Sequence, residues 1–471
     1  MKIRSAILLG GLILAFAGTP EPGLIAAQDR PQNQNEAWTG SVEQKVWGLM
    51  TIWATAKANF PFFDQRPGLD WDKKAREYIP RVIAAPDMAA YYDVLCEFAA
   101  LLKDGHTAVN RPGGFFDPSL DWPPLEVQVV DGAYLVARMA ETEDLKRNAI
   151  TRGSEIVEID GAPAAAYFQD RIARFESRGT RHADEAISIF RLLVGPTGSG
   201  VNLKLREPDG REQTVRLIRD ARTPDGGRFF FRLLESYINQ ESPIEVRRLE
   251  GGIVYIRIAN FGSEKVVPEF MKAFDAEIGP SVKGMMLDIR FNPGGDDTLA
   301  FPVIGCFFDA PVPSFRWKSP KYVPAKASWG MPLEWEEGSL GPDVIEIRQG
   351  KRYTGPLVIL TGPATFSTAE DFCIPFDFAK RAVLVGETTA GSTGNPIRIP
   401  LPGGGDFRVV TLRTVYPDGR EWVGAGIKPG VTVRPTREDI RRGEDPVLKK
   451  GLEVLKNWDR FRPAKSPAGR P

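Results

Sequence analysis

Between residues 253 and 385 the chain alternates short apolar runs with helix-like segments, and this alternation constrains the architecture more than any other feature. Ile253–Ala259, Met285–Ile289, Leu357–Leu360 and Ala382–Val385 read as buried strands. Glu264–Ile278 carries Val267, Phe270, Phe274 and Ile278 at helical spacing, and Thr368-Ala-Glu-Asp-Phe372 opens a second helical run. Such alternation predicts a mostly parallel sheet with helices on its faces. In open sheets of that kind, chemistry gathers at the carboxyl ends of the strands.

The flanking regions differ in character, and 471 residues exceed one ordinary core. From Glu43 to Leu102 the pattern is helical, through Val46, Leu49, Met50, Trp53 and Phe60 and then Tyr91, Val94, Leu95, Phe98 and Leu102. It ends in Lys103-Asp-Gly-His-Thr107, where Gly105 is expected to take the left-handed conformation that stops a helix. Pro123 to Asp220 reads as short strands. Leu125–Val130 and Tyr134–Arg138 flank Asp131-Gly132, and Val201–Arg206 and Gln213–Leu217 flank Pro208-Asp-Gly210. A helical insertion is expected near Tyr167–Leu193. With the turn-ended strand in Thr151–Pro163, this region resembles a PDZ-like module, which adds an extended peptide to a sheet edge. Ala221–Gly227 reads as a Pro/Gly linker.

Met1-Lys-Ile-Arg before the apolar Ser5–Ala17 reads as a signal peptide, cleaved after Ala15-Phe-Ala17 or after Ile25-Ala-Ala27. A periplasmic or secreted location follows. The apolar run is shorter than the roughly 20 residues a membrane span requires. The expected organisation is an α/β multidomain chain. It comprises a leader (1–27), a flexible start (28–42), a helical domain (43–118), a PDZ-like domain (119–222), a catalytic core (223–458) and a disordered tail (459–471).

Lys+Arg and Asp+Glu both number 61, which leaves no electrostatic case for nucleic acid or an anionic membrane. Cys96, Cys306 and Cys373 each lie in apolar segments and are expected to be buried and unbridged. With two histidines and no Cys/His cluster at metal spacing, neither a metal nor a cofactor is implied.

Ser367 stands where the Leu357 strand has turned into the first turn of a helix. Unpaired N–H groups and the positive end of the helix dipole collect there. Acyl transfer needs that setting, although Ser367 with Glu370 three residues on also forms a capping box. A second turn, Asn292-Pro-Gly-Gly295, lets the backbone aim N–H groups outward. Gly294 or Gly295 together with Thr368 could then form an oxyanion hole, and an ordinary strand-to-helix loop would look the same. Of the two histidines, His182 lies in a charged run and reads as a solvated side chain. His106 is the candidate general base.

Asp104-Gly-His-Thr107, the PDZ-like region, Leu287-Asp-Ile-Arg-Phe-Asn-Pro-Gly-Gly295, Thr365-Phe-Ser-Thr-Ala-Glu370 and Gly386-Glu-Thr-Thr-Ala-Gly391 occur in this order. As an ordered set they resemble the tail-specific, C-terminal-processing serine peptidases, a family that includes tricorn protease. In the processing branch the base resembles a lysine 25 residues after the serine, where this chain has Ser392. The tricorn-like branch resembles this chain in drawing a histidine from an Asp-Gly-His motif. The resemblance implies a Ser–His peptidase with Ser367 as nucleophile, His106 as base and an extended polypeptide as partner, and it sets no oligomeric state. The chain departs from the branch at Gly105, where a serine can stand, and at Val423, where a glutamate often stands. Glu421, two residues earlier on the same strand face, is the candidate to orient His106. The same scaffold could serve a catalytically silent peptide- or ligand-binding protein, or an ester or amide hydrolase.

Overall fold

The computed structural model describes residues 38–113, 117–339 and 341–463. At its centre six strands lie in the order Ile244–Leu249, Ile253–Ile258, Gly284–Asp288, Leu357–Thr361, Val383–Gly386 and Val431–Thr432. The first pair is antiparallel and every later pair is parallel. Successive side chains of a strand point to opposite faces, so an uninterrupted apolar run supplies two cores at once. Val254, Ile256, Met285, Leu287, Leu357 and Ile359 meet Phe270 and Phe274 of the helix Val266–Glu277 and Phe372 and Phe376 of the helix Thr368–Phe378. Ile253, Tyr255, Met286, Val358, Leu360, Val383 and Val385 face the other way, onto Val447, Val454 and Leu455 of the helix Pro446–Lys456.

Three helices, Val42–Asn59, Trp71–Ala84 and Met88–Ala100, precede this core. Each begins where a side chain accepts from the first-turn backbone, with Ser41, Asp70 and Asp87 as the caps. The third helix is stopped by Lys103, which takes the left-handed conformation (φ 50°). Gly105, expected in that role, is not left-handed. It is glycine because a Cβ there would lie 2.8 Å from the Arg178 carbonyl oxygen and from the Phe366 ring. The strand Ala108–Asn110 then pairs antiparallel with Asp406–Val409. That pairing carries the turn holding His106 from the helical region to the edge of the core.

Residues 125–218 form a five-stranded antiparallel path, with Leu125–Val130 at one edge and Glu212–Ile218 at the other. Asp131 and Gly132 both have positive φ (50° and 76°), the geometry a two-residue hairpin demands. The insertion between strands is broken into Ala164–Phe168, Gln169–Ala173 and Arg181–Ile187. Ala221–Gly227 is not an open linker but a closed turn, in which Thr223 N–H bonds the Gly227 carbonyl (3.0 Å) and Phe229 N–H the Ala221 carbonyl (2.7 Å).

Residues 459–461, expected within a disordered tail, are ordered. Trp458–Phe461 is helical and its aromatic ends pack on the Val447–Leu455 cluster. The leader and the last eight residues lie outside the described residues. Among the described residues no helix is long and apolar enough to cross a membrane.

Candidate active site

Two strand-to-helix turns are knitted together at the carboxyl edge of the sheet. Thr365 Oγ1 donates to the Ile289 carbonyl (2.9 Å), and Phe366 N–H bonds the Asn292 carbonyl (3.0 Å). These bonds hold Ser367 at φ 58°, ψ −131°, a conformation a non-glycine residue rarely adopts. Strain of this kind costs about 1–3 kcal/mol and persists only where the surroundings over-determine it. Glu370, read in the sequence as a capping partner, does reach back to the Ser367 N–H (3.2 Å). The Ser367 hydroxyl points to histidine instead: Oγ lies 2.9 Å from His106 Nε2.

The imidazole is fixed on every side. It lies flat against the Phe366 ring, with centroids 4.5 Å apart and planes 1° from parallel. Its Nδ1 meets Ser392 Oγ at 2.9 Å, and Ser392 Oγ lies 3.3 Å from Asp104 Oδ1. The Arg408 guanidinium donates to the carbonyls of His106 (3.0 Å) and Gly105 (3.1 Å), clamping the turn from the neighbouring strand. His106 and Ser392 are buried, whereas Ser367 remains partly open to solvent.

Burial, reinforced by the positive charges of Arg408 and Arg178, holds the His106 pKa well below its ordinary value. The ring is therefore neutral at neutral pH, the form that can accept a proton. Burial pushes the Asp104 carboxyl up, against hydrogen bonds from the Thr107 side chain, the His106 N–H and the Ser392 hydroxyl. Glu370 is pushed up to about 8 by burial. Its two oxygens accept N–H groups from Gly391 (2.7 Å), Ser392 (3.0 Å) and Ser367.

The two glycines divide the work expected of either. Gly294 N–H is already bonded to Asn292 Oδ1 (2.8 Å), so it does not face the site. Gly294 (φ 89°) is needed for approach, since a Cβ there would lie 2.7 Å from Ser367 Cβ and 2.8 Å from Thr368 N. Gly295 is pressed harder still, against the Phe261 backbone. The N–H groups of Gly295 and Thr368 have no hydrogen-bond acceptor among the described residues, and they are the donors left for an oxyanion.

Glu421 is not brought to His106. Its carboxylate is paired with Lys318 and Arg413 and accepts from Gln65 (3.2 Å). Three donors hold it outside the histidine's shell, and the partner of Nδ1 is Ser392. His182 is half-buried rather than solvated, its Nε2 donating to the Thr389 carbonyl at 2.7 Å. Ser392, Asp104 and Phe366 are site residues that sequence reasoning missed. The resemblance points to position 392 only for a lysine, and no short-range pattern marks a hydroxyl that meets a ring 286 residues away.

The three cysteines are buried and unpaired. Among the described residues no group of three or more His, Cys, Asp or Glu side chains could hold a metal ion. A cavity of about 340 Å³ lies between the edge strand Leu125–Val130 and the turn before Ser367, lined by Gln128, Val129, His182, Phe190, Phe291 and Ala364 among others.

Residues 252–433 match the profile of peptidase family S41. That stretch of the chain is similar to the S41 peptidases. Carboxy-terminal processing protease CtpA of Bacillus subtilis is 28% identical over 310 residues, covering 65% of this chain and 54% of that protein. CtpB of the same organism is 20% identical over 465 residues, covering 97% of this chain and 82% of that protein. The chain thus spans about half the length of the first of these relatives and most of the second. Among solved structures, mature CPAF superposes with a TM-score of 0.71 at 17% identity, over 90% of this chain and 99% of that one. That likeness concerns the fold. The S41 match takes in Ser367, Gly294, Gly295, Thr368, Glu370 and Ser392 but not Asp104 or His106. The imidazole at the site is supplied by the helical region ahead of the matched residues.

Proposed function

We propose that the protein is a serine peptidase that hydrolyses peptide bonds of unfolded or extended polypeptides by a Ser–His mechanism. The observation that carries this is the 2.9 Å contact between Ser367 Oγ and the buried, neutral His106. Ser367 Oγ attacks the scissile carbonyl carbon while its proton passes to Nε2. The oxyanion forms against the Gly295 and Thr368 N–H groups. The tetrahedral adduct then expels the amine, which takes the proton from Nε2 and leaves an acyl ester on Ser367. A water, deprotonated by the same nitrogen, hydrolyses the ester.

The region 119–222 is read as a PDZ-like module. Support comes from the edge position of Leu125–Val130, which lines a cavity together with Thr361–Ala364 of the turn before Ser367. A polypeptide added along that edge would lead into the site. The leader-like stretch at residues 5–17 supports export to the periplasm or beyond.

The test is labelling by a serine-reactive phosphonate together with cleavage of unstructured casein. Wild-type protein is expected to do both and Ser367→Ala neither. Equal labelling of the two proteins would exclude Ser367 as nucleophile. Labelling without cleavage of casein but with turnover of small esters would move the reading to a non-peptidase hydrolase.

A further inference from the structure

Four residues of the site, from two segments of the chain, converge on Ser392. Its hydroxyl touches His106 Nδ1 and Asp104, its N–H donates to Glu370, and its carbonyl accepts the Ser367 N–H at 3.1 Å. The side chain is fully buried. A hydroxyl has one proton to give, and an ionised carboxylate can only accept. Ser392 O–H therefore donates to Asp104 Oδ1 and offers a lone pair to Nδ1–H. His106 is then the Nδ1–H tautomer, with the bare lone pair of Nε2 turned to the Ser367 hydroxyl.

We propose that Ser392 and Asp104 are the positioning residues of His106. The Ser392 hydroxyl fixes the tautomer and the ring, and Asp104, acting through it, stabilises the imidazolium formed when Ser367 gives up its proton. The inference rests on the Ser–His reading above. During the step the Ser367 proton moves to Nε2, and the protons on Nδ1 and Ser392 stay where they are.

The charges around the ring argue for such a device. Around His106 stand Arg408 from the strand Asp406–Val409, Arg178 from the loop ahead of Arg181–Ile187 and Asp104 from its own turn, with Glu370 of the nucleophile's helix one step further out, bonded to the Ser367 and Ser392 N–H groups. The two arginines oppose a positive imidazole. Glu370 is occupied by three backbone N–H groups and Glu421 by Lys318 and Arg413. Asp104 is the carboxylate joined to Nδ1 by a hydrogen-bonded chain. Gly105 keeps that chain open, because a Cβ there would lie 2.9 Å from Ser392 Oγ.

The chain has two histidines, so protein labelled only at histidine nitrogen gives NMR signals from two imidazoles. His182 donates from Nε2 to a carbonyl and so supplies the opposite tautomer as an internal reference. His106→Gln assigns the two. Wild-type protein is expected to show His106 as Nδ1–H, and Ser392→Ala to show it as Nε2–H or a mixture. In parallel, Ser392→Ala and Asp104→Asn should each lower kcat/KM about 10²-fold or more, while thermal unfolding verifies that each variant folds. The double variant should fall no further than the worse single, since one residue acts through the other. An unchanged Nδ1–H signal in Ser392→Ala, or losses that multiply in the double variant, overturns the proposal. If wild-type protein cleaves nothing, it is the peptidase reading that fails, and the tautomer measurement still decides this one.

Discussion

His106 Nε2 and Ser367 Oγ stand 2.9 Å apart although 261 residues separate them in the chain. The strand Ala108–Asn110, paired with Asp406–Val409, holds one side of that contact. The strained turn after Leu357–Thr361 holds the other. Neither residue can leave without breaking bonds made by its neighbours, so the pair is assembled before any substrate arrives. His106→Ala is accordingly expected to lower kcat by about 10⁴-fold while leaving thermal unfolding near that of the wild type. Single-turnover acylation by an activated ester measures the loss directly. A decrease of less than tenfold would remove His106 from the mechanism.

The pH profile follows from the burial of the same ring. An unperturbed histidine titrates near 6.5, and on sequence alone kcat/KM should fall on acidification through about pH 6–7. Burial and the two arginines favour the neutral ring, so protonation requires a more acidic solution. Activity needs that neutral form and is lost as pH falls through the folded-state pKa. The acidic limb of kcat/KM is therefore expected below pH 6.5, with the plateau reached before neutrality. A limb centred above 6.5 would contradict the burial argument.

The parts of this site that were legible in the sequence are those tied to local pattern. Apolar runs such as Leu357–Leu360 declare a strand buried on both faces, and Ser367 follows from the turn that must come after it. His106 stood out because the chain offers only one other histidine. Glu421 misled because strand periodicity tells which residues share a face but not what lies opposite. Here Lys318, from the strand Arg316–Lys321, claims the carboxylate. Ser392 and Asp104 were out of reach for a related reason, since their meeting depends on register between segments nearly 290 residues apart. Gly105 was expected to be glycine for its backbone sign, and its constraint is instead contact with Phe366 and Ser392.

Glu421→Ala separates the two candidate partners of the histidine. The carboxylate is part-exposed, and such ion pairs contribute roughly 0–1 kcal/mol to stability. The substitution is expected to leave kcat/KM within about threefold of wild type and to lower Tm slightly. A loss of 10²-fold, with Ser392→Ala unaffected, would restore Glu421 as the orienting acid.

Gly294→Ala tests the approach of the two turns. The added methyl would sit 2.7 Å from Ser367 Cβ and 2.8 Å from Thr368 N, at a φ of 89° that alanine resists. Backbone strain of about 1–3 kcal/mol is expected in the unfolding free energy. Displacing the Thr368 N–H from the oxyanion position should cost about 10²–10³-fold in kcat. Urea unfolding and acylation kinetics on the same preparation separate the two effects. Normal acylation in a destabilised variant would mean that Thr368 N–H does not hold the oxyanion.

Glu370→Ala removes the acceptor that joins the nucleophile to the Ser392 segment. The N–H groups of Ser367, Gly391 and Ser392 all lose a partner, two of them in the buried interior. An unsatisfied buried N–H costs about 1–3 kcal/mol, and water entering the vacated space recovers part of that. A stability loss of at least about 2 kcal/mol is therefore expected. Acylation should slow by more than that loss explains, because Ser392 and Ser367 are released together. Glu370→Gln should recover only part of either effect. Its amide keeps one accepting oxygen but turns an NH₂ toward backbone donors that need an acceptor. A glutamine variant that behaves like wild type in both assays would mean that a single acceptor atom suffices to hold the two segments in register.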